Sequence, residues 1–100
     1  MMNLTEQQKK HLRRLGHALH PIVLIGRQGL TSNVVAELGR ALNDHELVKV
    51  RARVGDRAER DAVLAELARG SDAELVHQIG NVGLFYRRNN RLSKILLPDS

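Results

Sequence analysis

The sequence of 100 residues predicts a single domain of the α/β (α+β) class built on a four-stranded mixed sheet. Three observations carry that prediction. Apolar residues recur at helical spacing in three stretches, and short β-branched or alternating runs lie between and after them. Helices separate the first three of those runs, as parallel connections require, whereas the last two runs are only two residues apart, the spacing of an antiparallel hairpin. The predicted order is α-β-α-β-α-β-β.

Thr5 and Gln8 have the spacing of a capping box, and Leu12, Leu15 and Leu19 follow at helical intervals, so the chain opens with a helix. At about 100° per residue, Lys9, Arg13, Lys10 and Arg14 fall within an arc of about 140°, with the leucines opposite, so one face is core and the other cationic. Pro21 cannot continue that helix. Ile22-Val23-Leu24-Ile25 is a short apolar run of the kind buried in a sheet, and it ends at Gly26. Thr31 or Ser32 can cap a second helix, whose apolar side is Leu30, Val34, Val35, Leu38, Ala41 and Leu42. From Leu47 to Val54 the pattern alternates, with Val48, Val50, Ala52 and Val54 on a buried face and Leu47, Lys49, Arg51 and Arg53 on a basic one. Asp56 can cap a third helix with Val63, Leu64 and Leu67 as its stripe and Gly70 as its stop. Leu75 to Ile79 and Val82 to Arg87 are then two strands joined at Gly80-Asn81.

A hydrophobic content of 42% without repeats or low-complexity tracts describes a chain that can offset its ordering entropy by burial. No run approaches the roughly 20 apolar residues that span a bilayer, and the polar opening Met1 to Lys10 lacks a secretory core, so a cytoplasmic location and no membrane partner are expected. The absence of cysteine excludes disulfides, thiol catalysis and cysteine-bound zinc. A formal charge of +5 favours a polyanionic partner. The charge is also gathered: Lys9, Lys10, Arg13 and Arg14 against Glu6 give the first twenty residues +3, the last fourteen carry +3, and Gly55 to Tyr86 carries −3.

Gly26-Arg27-Gln28-Gly29 is the segment most suited to chemistry. Its glycines remove side chains where another backbone must come close, the helix start behind it offers unpaired N–H groups, and Arg27 and Gln28 add donors at the tip. Such a loop suits phosphate, and KH domains clamp nucleic-acid backbone with the same device. By itself a G-x-x-G is more often a tight strand-to-helix turn. It also fits neither the phosphate-loop template nor the dinucleotide fingerprint. The second instance, Gly80-Asn81-Val82-Gly83, lies between two strands with no helix behind it and reads as a turn. Convergence strengthens the first instance, because cations recur on the first helix, on the second strand and in the tail at Arg87, Arg88, Arg91 and Lys94.

His17 and His20 have no acidic or third ligand close in sequence, so no metal site and no cofactor are expected. His17 falls inside the cationic arc and suits a phosphate or solvent contact. No nucleophile, base and acid stand in catalytic order, which points away from an enzyme and from a small-molecule substrate. With Phe85 and Tyr86 the only aromatics, recognition should rest on backbone and shape more than on stacked bases.

The stretch Pro21-Ile-Val-Leu-Ile-Gly-Arg-Gln-Gly-Leu-Thr31, with Leu4 to Leu12, His45 to Val50, Gln78 to Gly80 and Leu84 to Arg87, resembles the CRM domain family (chloroplast RNA splicing and ribosome maturation), and is similar to its stand-alone bacterial members of the YhbY type. The resemblance runs from about Asn3 to Pro98. It implies a fold like the C-terminal domain of a bacterial translation initiation factor, RNA binding through the G-x-x-G loop and neighbouring basic surface, and association with precursors of the large ribosomal subunit. Arg27 stands where the family commonly has Lys, which keeps the charge. The expected RNA-contacting residues are Gly26, Arg27, Gln28, Gly29, Lys9, Lys10, Arg13, Arg14, Lys49, Arg51, Arg53 and Arg87. The alternatives are a ribosome-docking protein-interaction module and, third, a DNA-binding domain. No large surplus of apolar surface demands self-association, so a monomer is expected.

Overall fold

The computed structural model describes residues 4–89, 95, 97 and 98, and its seven elements follow the predicted order. Helix α1 (Glu6–Gly16) opens with the capping box: the Thr5 hydroxyl accepts from the Gln8 N–H at 3.1 Å, and the Gln8 side chain accepts from the Thr5 N–H at 3.0 Å. It ends before Leu19, which lies in a turn closed by its N–H on the Gly16 carbonyl and still packs into the core. Strand β1 (Pro21–Ile25), helix α2 (Ser32–His45), strand β2 (Leu47–Ala52), helix α3 (Arg57–Gly70) and the hairpin strands β3 (Glu74–Ile79) and β4 (Val82–Tyr86) complete the chain. Thr31 caps α2 through the Val34 N–H, and Asp56 caps α3 through the Glu59 N–H. The second strand stops short of Val54: the Arg53 N–H still reaches the Ile25 carbonyl, but Gly55 takes a φ of 35° and turns the chain toward the Asp56 cap.

The sheet is mixed, in the order β1-β2-β4-β3, with β1 and β2 parallel and the other pairs antiparallel. The hairpin folds β4 back between β2 and β3. Helices α2 and α3 cover one face, where Leu38, Leu42, Leu64 and Leu67 meet Val23, Ile25, Val48, Val50 and Phe85. Helix α1 covers only part of the other face, over Leu47, Val76, Leu84 and Tyr86. Leu47, expected on the basic face of its strand, is on that face but sealed beneath the helix.

Two apolar expectations fail for the same reason. Of the helix leucines, Leu12 is fully buried, a contribution of about 1.5–3 kcal/mol, while Leu15 stays 39% exposed. A Cβ at Gly16 would come within 2.8 Å of the Leu84 side chain, so α1 lies on the sheet along the line from Leu12 to Gly16 and turns Leu15 to its rim. Because α1 leaves the β1 side of the sheet open, Ile22 and Leu24 are 54% and 52% exposed instead of buried.

Arg87, Asn89 and Ile95, after β4, are held by an acid. Glu46, directly after α2, is fully buried with a φ of 65°. Its carboxylate accepts from the Asn89 N–H at 2.8 Å and the Ile95 N–H at 3.1 Å, and its carbonyl accepts from the Arg87 N–H at 2.9 Å. Hydrogen bonds of this kind offset the cost of taking a carboxylate out of water.

Candidate nucleic-acid interface

The loop Gly26-Arg27-Gln28-Gly29 is a tight turn in which the Gly29 N–H donates to the Gly26 carbonyl at 2.9 Å. Gly29 has a φ of 75°, a conformation that favours glycine, and a Cβ at either glycine would meet nothing within 4 Å. Open space surrounds the backbone, with Arg27 and Gln28 exposed at the tip. The first turn of α2 holds no acidic residue, so the positive end of its dipole is uncompensated beside Arg27.

The parallel pairing of β1 with β2 sets Ile25 beside Ala52 and brings the end of β2 to the loop. Arg53, whose N–H donates to the Ile25 carbonyl at 2.8 Å, therefore joins Arg27. Lys49 and Arg51 lie half-buried on the α1 face of the same strand. At a rise of about 3.3 Å per residue, Lys49 to Arg53 spans about 13 Å. Beyond Lys49, Arg13 on the flank of α1 faces Lys49 and Arg51 across a groove of about 300 Å³. Helix, strand and loop thus contribute to one basic surface. Lys10 and Arg14 extend it over the exposed side of α1. Lys9 lies 4.0 Å from the Glu6 carboxylate, a surface pair of small energy that partly neutralises it.

Arg87, expected among the RNA-contacting cations, is turned to another task. Its guanidinium donates to the carbonyls of Ser71 at 2.5 Å and Gly39 at 2.8 Å and to Asn43 Oδ1 at 2.9 Å, tying β4 to α2 and to the end of α3. Three of its five N–H donors are thus taken up on α2 and at the end of α3, which turns the guanidinium toward those helices and away from the groove beside α1. Arg87→Ala is expected to lower stability by about 2 kcal/mol in urea unfolding, because charge-assisted bonds to carbonyls are lost, and to leave RNA affinity within about twofold. Unaltered stability with weakened RNA binding would return Arg87 to the interface. The tail cations Arg91 and Lys94 lie outside the described residues.

His77 belongs to the basic groove although its position in the sequence does not suggest it. Leu75 pairs with Phe85 and His77 with Leu84, so Val76 is the extra residue of a bulge and both Val76 and His77 reach the α1 side. Burial lowers the His77 pKa first, and the nearby charges of Arg13 and His17 lower it further. Arg57 and Arg60 at the start of α3, masked in the sequence by the net negative charge of their stretch, line a shallow cleft with Asp61, Gln78 and Gly80, where the Gln78 amide donates to the Asp61 carboxylate. Among the described residues no group of three or more His, Asp or Glu side chains is placed to hold a metal, and no helix is long and apolar enough to cross a membrane.

A family model described as the CRS1 / YhbY (CRM) domain matches residues 4–87. A probable RNA-binding protein of Pseudomonas aeruginosa is 46% identical over 95 residues, which cover 95% of this chain and 91% of that protein. An RNA-binding protein of Haemophilus influenzae is 39% identical over 98 residues, covering 98% of each. The solution structure of a Staphylococcus aureus protein described as a candidate RNA-binding protein matches with a TM-score of 0.83 at 31% identity, over 96% of this chain and all of that one. These three relatives are described by RNA binding and by no reaction.

Proposed function

This chain belongs to the CRS1 / YhbY (CRM) domain family, and we propose that it binds RNA in precursors of the large ribosomal subunit, gripping phosphates with the loop Gly26 to Gly29 and the basic surface beside it. The observation that carries this reading is the continuity of cations from Arg27 and Arg53 through Arg51 and Lys49 to Arg13. Among the described residues no carboxylate lines the groove at its far end. A run of fixed cations with an open glycine turn matches the spaced charges of a phosphodiester backbone and has no comparable fit to a neutral ligand.

Gly29→Asp tests the loop. A side chain and a negative charge placed where a phosphate approaches should weaken binding of a structured RNA hairpin about tenfold or more at moderate salt. The φ of 75° adds a stability cost of about 1 kcal/mol, small enough to leave the variant folded. Parent affinity in the folded variant would reduce the loop to a turn. Affinity independent of salt would favour protein docking instead, and equal affinity for RNA and DNA duplexes would weaken the RNA assignment.

A further inference from the structure

The groove between α1 and the sheet has a floor and rim of different chemistry. Gly16, Val82 and Leu84 make its base, and Ile79 at its edge is 67% exposed. Its volume of about 300 Å³ lies at the small end for ligand sites and is too narrow for a duplex. Phe85 and Tyr86 are buried, at 0% and 1% exposure, so a base in the groove meets aliphatic side chains and the imidazole rings of His17 and His77 instead of a benzene or phenol ring. Cations stand along the rim on two elements, Arg13 on α1 and Lys49 and Arg51 on β2, and Arg53 beside the loop lies about 7 Å beyond Arg51 along the chain.

We propose that this groove is a subsite for one unstacked nucleotide of single-stranded RNA, its phosphate held by Arg13, Lys49 and Arg51 and its base resting on Ile79 and Val82, with protonated His77 adding to the hold. The inference rests on the reading that RNA follows the basic surface away from the loop. The charged and titratable groups facing His77 are Arg13 and His17 from α1 and Lys49 and Arg51 from β2, while β4 presents only Val82 and Leu84. In the unliganded protein burial first, and then the charges of Arg13 and His17, favour neutral His77. A phosphate among them reverses the balance, so binding takes up a proton and affinity rises as pH falls from 8 to 6.

The test is the affinity of an end-labelled, mixed-sequence single-stranded RNA decamer at pH 6 and pH 8. The parent protein should bind about tenfold more tightly at pH 6, because the complex holds on His77 a proton that the free protein, with that pKa lowered, binds poorly. His77→Gln should reduce that ratio to about twofold. Ile79→Glu, at an exposed position where the fold loses little burial, should weaken binding about tenfold at both pH values. Gly29→Asp should weaken binding at both while keeping the ratio. If His77→Gln keeps the full ratio and Ile79→Glu binds like the parent, the groove takes no nucleotide, although the loop reading stands on the Gly29→Asp result. If Gly29→Asp also binds like the parent, both readings fall.

Discussion

Replacing Lys49 and Arg51 together by glutamate is expected to weaken binding of a structured RNA hairpin by roughly 100-fold at moderate salt and to reduce the slope of log affinity against log salt by about two. Both side chains lie on the open part of the α1 face, between the helix and the glycine loop, so the double reversal breaks the surface in its middle. Neither residue belongs to a core cluster, and glutamate keeps part of the aliphatic stem that each half-buried side chain lays along the sheet. The melting temperature should therefore stay near that of the parent. A folded double variant with parent affinity and parent salt slope would show that RNA does not cross the sheet.

The largest effect on stability is expected at Glu46. Glu46→Ala leaves the Asn89 and Ile95 N–H groups without their carboxylate and places alanine at a φ of 65°. Loss of buried, charge-assisted bonds together with that backbone strain should cost about 3–4 kcal/mol. Glu46→Gly separates the two contributions, since glycine tolerates the conformation and should recover about 1 kcal/mol relative to alanine. Urea unfolding of the two variants measures both. Parent-like stability in Glu46→Ala would mean that the bonds to Asn89 and Ile95 carry no stability, and equal stability of the two variants would mean that the positive φ carries no strain.

What could be read in the sequence was whatever local chemistry decides. Thr5, Thr31 and Asp56 announce the three helices because a short polar side chain before an apolar stripe has one favourable use, the satisfaction of orphan N–H groups. The alternation through Val48, Val50 and Ala52 and the Gly80-Asn81 link give the paired strands and the hairpin for similar reasons. The loop was legible as glycines around a charged tip before a capped helix.

Features set by long-range packing were not legible. Period-two counting puts Val76 and His77 on opposite faces, and only the bulge against β4 brings both to α1. Leu15 and Arg87 mislead for a related reason: helical spacing does not reveal that Gly16 sets the line of closest approach, and a tail arginine gives no sign that three acceptors on α2 and α3 await it. That the cations of the first helix, second strand and loop share one side could be posed from sequence but depends on the parallel register of Ile25 with Ala52.

The central claim is that RNA lies along one surface, from the glycine loop across β2 to α1. The most direct test is the pattern of backbone amide chemical-shift changes when a structured RNA hairpin is added. The account predicts that the largest changes fall within Gly26 to Thr31, Lys49 to Arg53 and Arg13 to His17, with Gly39, Asn43, Ser71 and Arg87 little moved. Changes concentrated on the outer faces of α2 and α3, with the loop and β2 silent, would contradict it.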